Sequence, residues 1–205
     1  VDSRGLSYLD WLFPGVLGMN MMFSALYGVG YVVVRYRKNG VLKRLSVTPT
    51  RPHEFLTAQI LSRMLVLLVT TALVFTGCTW LYGFETRGSY LDLLLVFALG
   101  SFCLVALGLV VAARSSSEEF ADGILNLIAW PMMFLSEVWF PLEGARPWVQ
   151  KLSWLFPLTY LVDGARRIMN EGASLLELRS HLVVLALMAL LFLAIGSKLF
   201  TWQRT

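Results

Sequence analysis

Charged side chains are scarce in this 205-residue chain: Asp, Glu, Lys and Arg make up 15% of it, against roughly 25% in soluble domains. Charges inside or beside apolar runs are therefore the first candidates for chemistry. Glu137 stands near the end of one such run, Arg63 inside another, and Asp163, Arg166 and Arg167 on a short amphipathic segment. An ionisable group at membrane depth costs about 2.5–3.5 kcal/mol on insertion scales, and less near the interface, so each asks for a reason. For Glu137 two readings stand: the carboxylate merely reaches headgroups and water, or it lines the exit of a translocation path, paired with Arg146 or Arg166. Arg63 either snorkels to the inner interface on its apolar stem or contacts a lipid-like or anionic substrate in the inner leaflet. Helical spacing puts Asp163 near Arg166 and Arg167, pairs that fix a turn and contribute little when exposed. An enzyme would need more. The sequence holds no His-Glu-x-x-His, Gly-x-Ser-x-Gly or Gly-x-x-x-x-Gly-Lys, and His53 and His181 sit at run edges without sequence partners. Cys78 and Cys103 fall inside apolar runs, where packing is the natural role.

The elements that position these groups are apolar runs long enough to cross a hydrocarbon core, which takes about 20 helical residues. Five are expected as spanning helices, at about 11–34, 55–82, 91–113, 124–140 and 181–200. They are continuous rather than alternating, which fits helices and not a barrel. Pro14 and Pro131 are expected to bend or break theirs. Ser115 and Ser116, followed three residues on by Glu118 and Glu119, predict a capping box that starts the fourth helix. Pro52 and Glu54 suit a helix first turn, so the second helix is expected from Pro52 to Tyr82.

Basic residues set the sides of the membrane. The segment "RYRKNGVLKRLSVTPTRPHEF" holds six of the seventeen and is placed in the cytoplasm. The next loop, with Arg87 alone, then lies outside. The connection Pro141 to Ser180 carries five basic residues, against its placement outside, but it is long and amphipathic and the first loop is the stronger signal. Within that first loop, Gly40 to Val47 reads as a two-turn helix with Val41, Leu42 and Leu45 on one face and Lys43, Arg44 and Ser46 on the other. Thr48 and Pro49 stop it. It could lie in the interface, serve only as a topology signal, or dock in a groove of a cytosolic partner.

The loop framework Gly40, Leu42, Leu45, Thr48 and Pro49, the pair Pro14 and Gly15, and the stretch "LSEVWFPLEGARPWVQKLSWLFPLTYLVDGARR" together resemble the permease subunit of type 2 ABC exporters, over nearly the whole chain. The resemblance implies an all-α polytopic membrane protein: five transmembrane helices of a six-helix fold, a cytoplasmic coupling helix and short re-entrant or interfacial helices at about 146–172. The family's N-terminal helix and first span would precede Val1. It further implies a non-catalytic subunit of a bacterial inner-membrane exporter for hydrophobic or amphipathic cargo of the drug, lipid or glycan class. ATP and Mg would be bound by a separate cytosolic ABC ATPase, with a second permease copy (homodimer or heterodimer) and membrane lipids as the other partners and no nucleic acid. Coupling to the ATPase would fall to Arg37, Lys38, Gly40, Val41, Leu42, Lys43, Arg44, Leu45, Thr48 and Pro49. The exit gate would fall to Glu137, Phe140, Pro141, Tyr160 and Asp163. Two departures stand out: Tyr36, Arg37 and Lys38 replace an acidic cluster, and Glu137 replaces a common glycine. The competing reading is an ATP-independent secondary transporter or channel, for which Arg63 is the one fair mid-membrane candidate.

Overall fold

The computed structural model describes residues 8–45, 47, 52–84, 86–115 and 117–199, and these are helical or in turns, without strands. The helices are α1 (Tyr8–Lys38), α2 (Val41–Leu45), α3 (Pro52–Tyr82), α4 (Tyr90–Arg114), α5 (Glu118–Leu135), α6 (Pro147–Ser153), α7 (Pro157–Arg166) and α8 (Arg179–Leu199), with a π turn, Arg167–Glu171, continuing α7. Among the described residues four helices are long and apolar enough to cross a membrane: α1, α3, α4 and α8. The chain is a multi-pass membrane protein.

The run expected as a span at 124–140 differs. Its helix starts earlier, at Glu118, so it carries Glu118, Glu119 and Asp122, and it ends at Leu135. It stops because Glu137 holds φ at 55°, a left-handed backbone that no α-helix continues. The cap at its start also differs from expectation. Ser117 accepts the Phe120 N–H at 3.1 Å, whereas Ser115 terminates α4, its hydroxyl donating to the Val111 carbonyl at 2.7 Å. Ser116 lies outside the described residues.

Neither proline breaks its helix. Pro14 has no N–H for the Asp10 carbonyl one turn back; the Asn170 side-chain amide donates to that oxygen instead, at 3.1 Å. A tertiary bond thus replaces the helical one, and α1 runs on.

The core is built around α4. It packs between α1 and α8, while α3 and α5 each flank α1. The outward face of α3 is mostly apolar, with Leu61, Leu65, Val66, Val69, Leu73 and Val74 exposed and Ser62, Thr70 and Thr76 among them. In a bilayer such a face meets lipid at no cost.

Candidate functional site

Polar contacts gather at the two ends of α1. Trp11 and Arg37 mark them, 26 residues apart, or about 39 Å along the helix axis. The Trp11 end, on the side expected outside and called the outer end, is organised by Arg166. Its Nη1 lies 3.6 Å from the Glu137 carboxylate, its Nη2 donates to the Glu137 carbonyl at 3.0 Å, and its Nε donates to the Trp11 carbonyl at 3.3 Å. The guanidinium carbon sits 4.1 Å from the centre of the Trp11 ring, within cation–π range. Glu137 also accepts the Leu142 N–H at 3.3 Å. With 12% of its side chain exposed, Arg166 is well covered, and Glu137 at 33% is less so. Burial pushes the Glu137 carboxyl above its ordinary value, outweighing the Leu142 N–H and the Arg166 charge. One basic side chain thus joins α7, α1 and the turn after α5. Arg146, the other partner weighed for Glu137, is exposed.

A second clasp joins α7 to α8. Asp163 Oδ2 lies 2.9 Å from Arg167 Nε and 2.8 Å from His181 Nε2. Trp154, Tyr160 and His181 meet edge to face, with ring centres 5.1–5.8 Å apart. His181, which has no partner in sequence, gains one only through the fold. Between the clasps lies a small cavity of about 40 Å³ lined by Ser136, Glu137, Thr159, Asp163 and Arg166 among others. Of the expected gate residues, Glu137, Tyr160 and Asp163 belong to this assembly, while Phe140 and Pro141 are exposed on the turn beyond it. The resemblance missed Trp11, Asn170 and His181; none stands in a motif that spacing could flag.

Close packing secures the outer end. A Cβ on Gly15 would sit 2.7 Å from the Val138 carbonyl oxygen and 3.1 Å from its Cα. Glycine is needed there because α1 meets backbone, which cannot rotate away.

At the Arg37 end, on the side expected in the cytoplasm and called the inner end, Arg37 and Lys38 are engaged within the chain. Arg37 Nη1 donates to the Ser115 and Ala112 carbonyls at 2.8 and 3.2 Å, satisfying orphan acceptors at the negative end of α4. Lys38 Nζ lies 3.5 Å from Glu118, which also accepts the Tyr31 hydroxyl. That hydroxyl leads the influences that hold the Glu118 carboxyl below its ordinary value. The last turn of α1 therefore grips the ends of both α4 and α5.

Next comes the turn at Gly40, whose φ of 71° suits glycine, and then α2. The expectation that Leu42 faces a partner is corrected: it is fully buried in this chain's own core, because a five-residue helix has no stability without such an anchor. Lys43, Arg44 and Val47 are exposed and Val41 is half-buried. Thr48, Pro49 and the Leu45 side chain lie outside the described residues.

Arg63 packs its Cδ and Nη1 against Gly28, 3.3 and 3.4 Å from where a Cβ would stand. Its guanidinium is thus held against α1, about 15 Å along the axis from Lys38.

The face of α1 left uncovered is polar. Between Asp10 and Val34 the exposed residues are Asn20 and Ser24, and Ser24 donates to the Asn20 side chain at 3.3 Å. Half-buried Tyr27 and Tyr31 continue that line toward the inner end. Asp122, Asn126 and Trp130 form a second line on α5, where the Trp130 indole donates to Asn126 at 3.2 Å.

Comparison with known proteins agrees with this architecture. The family model described as ABC-2 type transporter matches residues 2–170. The chain is 23% identical over 173 residues to the probable multidrug ABC transporter permease YbhR of Escherichia coli strain K12, covering 84% of this chain and 47% of that protein. It is 28% identical over 164 residues to the inner membrane transport permease YhhJ of the same strain, covering 78% of this chain and 44% of that one. It is 26% identical over 203 residues to the daunorubicin resistance ABC transporter permease protein DrrB1 of Streptomyces coeruleorubidus, covering 94% and 69%. The chain spans about half the length of the first two.

Proposed function

Because the chain belongs to the ABC-2 type transporter family, we propose that it serves as the membrane permease subunit of an ATP-driven exporter in a bacterial inner membrane. Its cargo is hydrophobic or amphipathic, and the cargo moves along the polar face of α1, within a dimer with a second permease copy. The observation that carries this reading is the contrast between two helices. Along its middle α3 exposes mostly leucine and valine, with Ser62, Thr70 and Thr76 among them and the Thr70 hydroxyl bonded to its own helix; between Asp10 and Val34 the exposed residues of α1 are Asn20 and Ser24 alone. Polar groups facing lipid are unfavourable, so such a face belongs to a water-accessible path or an interface.

The chain's own contacts suggest how a motor would act on that path. A separate ATPase, binding ATP and Mg, meets the exposed Lys43, Arg44 and Val47 around α2. Leu42 roots α2 in the permease, so displacement of α2 moves α1. Arg37 and Lys38 pass the movement to α4 and α5. At the far end Arg166 ties α1 to the Glu137 turn and α7, so α1 links the motor side to the outer closure. ATP supplies the differential binding that any two-state switch requires.

The test is reconstitution in vesicles with a cognate ABC ATPase. Ser24→Leu and Asn20→Leu are expected to lower ATP-driven export about tenfold while dimer assembly and the ATPase association persist. Undiminished export in both variants, or export at full rate without the ATPase, refutes the reading.

A further inference from the structure

Three observations converge on the inner half of the α1 face. First, Arg63 of α3 lies over Gly28, with the guanidinium against a helix surface that has no Cβ at that point. Second, on the opposite flank, Tyr27, Tyr31, Glu118, Glu119 and Asp122 line a cavity of about 490 Å³. Glu118 is engaged by Tyr31 and Lys38. Neither the Asp122 carboxylate nor the Arg63 guanidinium makes a hydrogen bond or ion pair among the described residues. Third, Tyr27 and Gly28 are consecutive on α1, so the backbone positions where the two walls meet α1 lie about 1.5 Å apart along its axis.

We infer that this region is a recognition site for an amphiphile whose head carries both an anionic and an amine group. The reading rests on the translocation path proposed above and names the class of its cargo. Arg63 offers planar paired donors for a phosphate or carboxylate. Asp122 beside the Tyr27 ring offers a carboxylate and an aromatic face for an ammonium. Asn20 and Ser24 lie further along the same face, toward the outer end. The flanks of α1 are about a helix diameter apart, so the two charges of the ligand are separated by on the order of 10 Å. An amphiphile with one charge would leave the opposite wall unpaired, at a cost in affinity.

Binding to the purified full chain in neutral maltoside micelles tests this with three probes sharing one alkyl tail: an alkyl phosphate, an alkylammonium, and an alkyl chain bearing a phosphate and an amine about 10 Å apart. The doubly charged probe is expected to bind at least tenfold more tightly than either other. Arg63→Gln should reduce it to the level of the alkylammonium, and Asp122→Asn to that of the alkyl phosphate. Equal binding of all three probes, or loss of neither advantage in these variants, overturns the inference. If single-charge probes bind equally well and Ser24→Leu still weakens them, the path stands and the zwitterionic class falls. If Ser24→Leu changes no binding, the path itself falls. A dimer broken by Arg63→Asp and restored by adding Asp122→Arg, with no probe bound, assigns these charges to contact between copies and also overturns the inference.

Discussion

Replacing Gly15 with alanine tests how the outer end of α1 is held. The added methyl carbon would meet the Val138 carbonyl oxygen at 2.7 Å, with the Val138 Cα and carbonyl carbon at 3.1 and 3.3 Å. Reaching an ordinary 3.4 Å contact with that oxygen requires α1 and the turn to part by about 0.7 Å. Overpacking against a part that cannot rotate costs about 1–3 kcal/mol, while alanine returns up to about 1 kcal/mol of helix propensity. The net expectation is a loss of about 1–2 kcal/mol. Gly77 on α3 is the control, since nothing lies within 4 Å of where its added methyl would stand, and Gly77→Ala should gain up to about 1 kcal/mol. The two variants should thus differ by roughly 2 kcal/mol, about thirtyfold in an unfolding equilibrium followed by SDS titration in mixed micelles. The same separation stretches the bond from Arg166 Nε to Trp11, already 3.3 Å long, so reconstituted export should fall as well. Equal stability of Gly15→Ala and Gly77→Ala refutes the backbone-contact argument.

Glu137→Gly and Glu137→Ala both remove the carboxylate, but only glycine relieves the positive φ; the glycine variant should be the more stable by about 1 kcal/mol in the same titration. Leu42→Ala should cost about 2–4 kcal/mol of stability, as for other fully buried leucines, whereas Lys43→Glu with Arg44→Glu should leave the fold intact and cut ATPase co-purification at least tenfold. Because burial raises the Glu137 carboxyl above its 4.5 reference, the folded state holds that proton more tightly than the unfolded one. Stability should therefore decline as pH rises from about 4.5 through the raised value. A pH–stability curve unchanged by Glu137→Gln across that window refutes this.

Much of the architecture was legible because lipid imposes strict one-dimensional rules. A long, continuous apolar run with few charges is helical in lipid, so the residues of α1, α3, α4 and α8 could be read from composition even with Arg63 inside α3. Pro52 at the start of α3 follows from equally local physics, a missing N–H that a first turn does not need. α5 escaped that logic at its outer end, where the left-handed turn at Glu137 stops the helix within an apolar run. The candidate site was half legible. Glu137 and Asp163 announced themselves as charges beside apolar runs, and spacing brought Arg167 to Asp163. Composition could not choose Arg166 over Arg146 for Glu137, give His181 to Asp163, or supply Asn170 to the carbonyl that Pro14 leaves open. It also could not turn Leu42 inward. By itself the sequence determined which segments form the long apolar helices α1, α3, α4 and α8, because that depends on the solvent each residue meets. Only the tertiary structure decided which polar atoms meet, since each such bond joins residues far apart in the chain whose approach is set by helix packing.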